Sequence, residues 1–442
     1  MRLKKTALKC SMGMALAAMS GVAAASGFAL IEQGVGGLGN AYAGGAAIAE
    51  DATTVFYNPA GMNRLSGTQL TLAAQGIQPS AKFSDGGSAG AALQTQGGVG
   101  GDAGSMAVVP NAYFVAELDP KLRLGLGINS PFGLQTSYDP TWMGRFQAIK
   151  SSIQTVNLNP AVSCQITDAV SVGAGVSYQR ITGELSGAVN YSAAAFAADP
   201  VGNTVLTAIG GAGKEGVSTV SGNDNSYGYN LGALINLGSQ TRVGLAYRSP
   251  VKHTLTGTVT FTNVPTALAT SPKLANGGVT LDVSMPDTFS TSVVHQLGPQ
   301  FDLMADVTWT GWGSFQNLDV VRSNGSALSS TPENWKNTWR VAAGATHRYS
   351  DQWTSRFGVA YDQTPVSDTY RTARIPDQDR TWLALGGQYK LAKGSSIDFG
   401  YAHLFVKSSS ISQNQSATGG GNLVGSYANS VNIYSLQYGH SF

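Results

Sequence analysis

From Thr68 onward the chain alternates between apolar and polar or small residues. Val170, Val172, Ala174, Val176 and Tyr178 are separated by Ser171, Gly173, Gly175 and Ser177. Val243, Leu245 and Tyr247 alternate with Arg242, Gly244, Ala246 and Arg248, and Ile397, Phe399, Tyr401 and Phe405 with Asp398, Gly400 and Ala402. A period of two predicts strands with one apolar face and one polar or small face. In a sandwich the apolar face meets a second sheet. In a membrane barrel it meets acyl chains, and the other face lines the lumen.

The connections favour the barrel. Asp119-Pro120-Lys121, Thr167-Asp168, Gly238-Ser239-Gln240, Gly298-Pro299-Gln300, Ser350-Asp351-Gln352 and Lys393-Gly394 read as short turns. Between them lie long polar stretches at 80–107, 135–150, 190–225, 263–277, 322–334, 364–379 and 408–426. The stretch 190–225, rich in Ala, Gly and Ser, reads as a mobile loop. Short and long connections alternate as they do in outer-membrane barrels, with turns in the periplasm and loops outside. Six turns and seven loops join about fourteen strands.

The chain opens differently. Arg2, Lys4, Lys5 and Lys9 precede an apolar run over 12–22, and Ala23-Ala24-Ala25 follows. That is the pattern of a secretory signal peptide, placed at 1–25. No later stretch approaches the ~18 consecutive apolar residues of a membrane helix. Charged residues make up 12% of the chain and glycines number 56. A water-soluble domain carries about a quarter charged residues, so the composition also fits a barrel in lipid. Without the four leader cations, 23 basic residues face 25 acidic ones, which gives no case for nucleic-acid binding. Cys164 is the one cysteine after the leader, so no internal disulfide is expected.

Residues 26–67 do not follow the strand pattern. Small residues crowd this stretch, and it reads as a compact helical or coiled plug ahead of a barrel over 68–442. Asp51 is placed to cap a short helix that Asn58-Pro59 ends. Phe28-Ala-Leu-Ile-Glu-Gln33, then Gly37-Leu-Gly-Asn-Ala-Tyr-Ala-Gly44, then Asn58-Pro59-Ala60-Gly61-Met62 occur in that order. Together they resemble the hatch of the FadL family, outer-membrane transporters of long-chain fatty acids and other hydrophobic compounds. Gly244-Leu-Ala-Tyr-Arg-Ser-Pro-Val-Lys252, Thr308-Trp-Thr-Gly-Trp-Gly-Ser-Phe315 and Ile375-Pro-Asp-Gln-Asp-Arg-Thr-Trp382 extend the resemblance over nearly the whole chain after the leader.

The resemblance implies an all-β fold: a fourteen-stranded antiparallel transmembrane barrel in the bacterial outer membrane, with the hatch inside it. It implies passive uptake. A hydrophobic ligand is caught among the extracellular loops, enters a lumenal pocket, and leaves sideways through the wall. The expected exit is a kink in the third strand at Asn129, Pro131, Phe132 and Gly133. Pro131 cannot donate to a ladder, and Gly133 permits a bend. Asn58, Pro59 and Ala60 are expected against that opening, with Phe28 as the moving piece. Fatty-acid members of the family hold the ligand carboxylate with an arginine and a lysine on the wall. The matching positions here are Leu185 and Asp319, and Arg180 and Arg322 nearby are the candidate substitutes. That departure keeps a channel for monoaromatic or alkane hydrocarbons open as the alternative. An open porin and an outer-membrane lipid hydrolase are the readings from other functional classes.

Other motifs carry less. Gly34-Val-Gly36-Gly-Leu-Gly39 matches a dinucleotide fingerprint, but it lacks the flanking strand–helix unit that such a site requires. His253, His295, His347, His403 and His440 show no metal-ligand spacing, and no G-x-S-x-G nucleophile motif occurs. Neither cofactor nor enzymatic activity is expected. Trp309, Trp312, Trp335, Trp339, Trp353 and Trp382 read as interfacial anchors, with lumenal contact possible for Trp382 by its phase. The chain ends Tyr434-Ser-Leu-Gln-Tyr-Gly-His-Ser-Phe442. The terminal aromatic in this phase reads as a signal to the barrel assembly machinery. The expected partners are thus a hydrophobic small molecule, outer-membrane lipid with lipopolysaccharide, and that machinery, around a monomer.

Overall fold

The computed structural model describes residues 27–442, so the expected leader at 1–25 lies outside the described residues. Among the described residues, twenty strand segments form one antiparallel sheet that closes as a barrel of fourteen strands. The first six strands are Gln69–Asp85, Ala107–Asp119, Leu122–Asn129 continuing as Gly133–Ser137, Lys150–Gln165, Val170–Asn190 and Glu215–Asn236. The seventh is Thr241–Arg248 with Val251–Phe261, and the eighth is Gly277–Met285 with Thr288–Gln296. The ninth is Phe301–Thr310 with Asn317–Arg322, and the tenth is Ala327–Pro332 with Thr338–Arg348. Trp353–Asp362, Arg380–Lys390, Ser395–Val406 with Ser409–Gln415, and Gly421–Ser441 complete the ring. The first and last strands pair from Gln69↔Ser441 to Asp85↔Gly425, which closes the barrel.

Alternation sets the two faces. Val172, Val176 and Tyr178 of the fifth strand are exposed on the outside, while Ser171, Ser177 and Gln179 are buried inside. The six short turns fall at one end of the barrel, as the sequence indicates. The long stretches differ from expectation. Residues 80–85, 215–225, 327–332 and much of 408–426 are paired strand, such as Ser218↔Phe261 and Ile411↔Gly425. These extensions lack an alternating apolar face, so hydropathy does not reveal them. The stretch 190–225, expected to be a mobile loop, holds helices Tyr191–Ala198 and Thr204–Ala208 before the sixth strand begins. Tyr191, Ala195, Ile209 and Leu268 form a small core there.

Residues 27–67 fill the lumen. Helical turns Val35–Leu38, Gly45–Ile48 and Thr54–Tyr57 lead into the 3₁₀ turn Pro59–Arg64. Asp51 Oδ1 accepts from Thr53 N at 2.8 Å, and extended Asn58 ends the third turn. The wall supplies glycines where the plug comes closest. A Cβ on Gly232 would run into the Asn58 amide, and one on Gly244 into the Ala46 carbonyl. These wall glycines are the footprint of the plug backbone.

Candidate functional site: a kinked wall strand, an aromatic cage and two lumenal chambers

The third strand breaks between its two halves. On one side its ladder with the second strand ends at Ala112↔Ile128, so Ala107–Asn111 has a partner only on the first strand. On the other side Asn129 pairs with Asn157 and Gly133 with Gln154, which leaves one extra residue on the third strand. This is a bulge at a proline. Higher up, Ala103 bridges the first and third strands, donating to Ala81 O at 2.9 Å and accepting from Ser137 N at 3.0 Å. The wall between the second and third strands therefore holds a window in its ladder.

The N-terminal segment takes up the groups that the kink frees. Leu30 N donates to Pro131 O at 2.8 Å, and Gly133 N to Phe28 O at 2.9 Å. Gln33 Nε2 donates to Ser130 O at 2.8 Å, and Phe132 N to Thr155 Oγ1 at 2.9 Å. Buried backbone groups left unpaired cost about 1–3 kcal/mol each, so this pairing is what makes the kink tolerable. Asn58-Pro59-Ala60, the turn expected against this opening, makes its own bonds elsewhere. Asn58 Nδ2 donates to Ala46 O and to Ala233 O of the sixth strand, and Asn58 Oδ1 caps Ala60 N. Ser171 of the fifth strand donates to Ala60 O. The turn is pinned to the fifth and sixth strands because Gly173 and Gly232 leave room for it there.

Phe28 is fully buried in a cage of rings. Its centroid lies 4.6 Å from Trp312, 5.5 Å from Trp335, 5.9 Å from Phe315 and 6.2 Å from Phe132. The contacts are tilted or edge-to-face, geometries worth about 0.5–1.5 kcal/mol per pair beyond burial. Trp312 and Trp335 are thus not interfacial anchors. They sit in the breaks of the ninth and tenth strands, where departure from the ladder turns them inward. Trp382 is also buried, whereas Trp339 and Trp353 lie on the outside. Behind the cage, Gly27 N donates to Asp377 Oδ2 at 3.0 Å, and Asp377 also pairs with Arg380.

Two chambers flank the cage. The outer one is lined by Ile153, Ile181, Leu185, Leu255, Leu281 and Phe315, and its wall is almost wholly apolar. The inner one lies between the hatch residues Leu30, Phe56, Tyr57 and Pro59 and the kink residues Pro131 and Phe132. Its floor is polar, with Arg248, Thr308, Arg340 and Asp362. Beside it, burial pushes the Glu32 carboxyl up to about 7, against the pull of Arg380 and Arg340.

A family model described as outer membrane protein transport protein (OMPP1/FadL/TodX) matches residues 16–442. The chain belongs to the FadL family. It is 31% identical to the long-chain fatty acid transport protein of Escherichia coli (strain K12) over 426 residues, 92% of this chain and 93% of that protein. It is 31% identical to outer membrane protein P1 of Haemophilus influenzae, over 96% of each. The solved Pseudomonas aeruginosa FadL homologue superposes with a TM-score of 0.85 at 28% identity, covering 94% of this chain and 100% of that one. The Ralstonia pickettii toluene transporter TbuX, at 21% identity and a TM-score of 0.66, shares the fold, with 93% of this chain and 100% of that one covered. As a FadL-family member the protein is an outer-membrane transport barrel and not an enzyme.

The substitutes expected for the FadL wall cations do not reach either chamber. Arg180 shares the outward phase of Val176 and Tyr178 and bonds Asn223 and Asn225. Arg322 is held by the carbonyls of Lys273 and Ala275, at 2.7 Å each, and lines neither chamber. At the matching FadL positions, Leu185 lines the outer chamber and Asp319 accepts from Ser330. Sequence reasoning missed Arg248 and Arg340. Their inward phase in the seventh and tenth strands was the available signal.

Proposed function

We propose that this barrel takes up long-chain fatty acids passively, by a path from the loops through the outer chamber, past Phe28, into the inner chamber and out between the second and third strands. The observation that carries this reading is the inner chamber bounded by Pro131 and Phe132, beside the window where the ladder ends. The Phe28–Gln33 segment is the stopper of that path, because it supplies both the ring that fills the cage and the bonds that cover the kink. No energy source is needed. A hydrocarbon chain gains about 0.8 kcal/mol per methylene on leaving water for an apolar chamber or for lipid. The barrier is the polar lipopolysaccharide layer, which the barrel bypasses. The similarity to the E. coli long-chain fatty acid transport protein supports the substrate class. The barrel acts as a monomer whose last strand, ending at Phe442, is read during assembly.

A second reading has its own observation. The outer chamber carries Leu185 where fatty-acid members carry a cation, so an uncharged aromatic or alkane would also fit it. Growth of a deletion strain on oleate and on toluene or alkane as sole carbon source separates the two. Lost growth on oleate is expected. Normal growth on oleate with lost growth on hydrocarbon would reverse the assignment.

A further inference from the structure

We propose that the inner chamber is a carboxylate-binding site whose cation is Arg340, distinct from the wall positions of the outer chamber. The inference rests on the barrel being a route for hydrophobic molecules and names the headgroup that its inner half recognises. Arg340 is 94% buried, as 6% of its surface remains exposed, and it lines the chamber. Its Nη2 donates to Ala41 O at 2.6 Å, while Nε and Nη1 have no hydrogen-bond partner. A buried guanidinium with unused N–H groups carries a cost unless an acceptor arrives. Arginine N–H groups suit a carboxylate, and charge-assisted bonds of this kind are roughly twice as strong as neutral ones.

The surroundings fit an acid with a long tail. Of the charged side chains lining the chamber, Arg248 and Arg340 face one carboxylate, Asp362. Arg248 rests on the Phe56 ring at 4.3 Å, with Nη2 on Phe56 O and Nη1 on Ser177 Oγ. Asp362 stands between Arg340 and Arg380 in register across the tenth, eleventh and twelfth strands. Arg380 is itself paired with Asp377. Asp306, on the next strand, is taken by Ser292 and Thr308. Glu32 approaches from the hatch. Leu30, Ile31, Phe56 and Phe132 supply the apolar wall for the tail. The Arg340 guanidinium lies 5.1 Å from the Trp382 ring, which gives the site an optical reporter.

The test compares palmitate with hexadecanol, equal in chain length and different in headgroup, on the purified full-length barrel in detergent. Wild type should bind palmitate at least tenfold more tightly, and palmitate alone should shift Trp382 emission, a change that W382F removes. R340Q should bring the ratio close to one with hexadecanol affinity unchanged. R340K should keep part of the preference, and R180Q and R322Q all of it. An equal wild-type affinity for acid and alcohol, or a preference that survives in R340Q, would overturn the carboxylate site while leaving the hydrophobic route intact. If neither compound binds, the route falls with it. Should R340Q fail to show a heat-modifiable barrel, the wild-type ratio and the W382F comparison decide.

Discussion

Two residues of the hatch concentrate the physics of the site. Phe28 fills a cage made by Trp312, Trp335, Phe315 and Phe132. Truncation to Ala should cost about 3–5 kcal/mol by the usual range for buried aromatic rings. Acrylamide quenching of tryptophan emission should rise in Phe28→Ala, because two of the seven tryptophans lose their packed partner; unchanged quenching would mean that the ring does not seal the cage. Glu32 is the second. Its folded-state value of about 7 lies above the ordinary 4.5, so its contribution to stability is full below about 4.5 and is lost as pH rises through 7. The loss is roughly 3 kcal/mol for a shift of this size. Urea unfolding in detergent at pH 5 and pH 8 should show that loss in wild type and a flatter profile in Glu32→Gln. The place of Phe28 in the hatch was legible in the sequence through the hatch motif. The identity of its cage was not, because Trp312 and Trp335 lie in short segments with no strand phase to read.

The third strand shows how far pattern reading reaches. Pro131 and Gly133 mark the break from sequence alone, because one lacks a donor and the other bends freely. The bonds that answer the break come from Phe28–Gln33 and not from Asn58-Pro59-Ala60, the turn expected against it. The partners are the Phe28 carbonyl, the Leu30 N–H and the Gln33 side-chain amide, and the two backbone bonds leave no side-chain signature. Strand number was legible from the alternation of turns and loops, whereas strand length was not, because the outer extensions are polar on both faces. The bulge itself is open to test. Deleting Ser130 removes the extra residue between the Asn129↔Asn157 and Gly133↔Gln154 pairs, so the ladder should become continuous. Oleate uptake should then fall to the level of a deletion strain while the barrel remains heat-modifiable. Undiminished uptake would place the exit away from this strand.

At the scale of the molecule, one closed sheet, a lumen filled by 27–67 and the break in the third strand beside Phe28–Gln33 underlie the proposal of a route that stays shut to ions and opens to apolar molecules. Planar-bilayer recording of the intact barrel should show no large steady conductance, and a porin-like current would contradict a filled lumen. The decisive measurement locks the stopper onto the kink. Ala29 faces Phe132 as an isolated antiparallel bridge, flanked by the Leu30–Pro131 and Phe28–Gly133 bonds. It is thus a non-hydrogen-bonded pair, whose Cα separation of about 4.5 Å suits a disulfide. In a Cys164→Ser background, A29C/F132C cells should lose oleate uptake when oxidised and regain it on reduction. Normal uptake by the oxidised form would show that the segment need not leave the kink, and that hydrophobic molecules cross by another path.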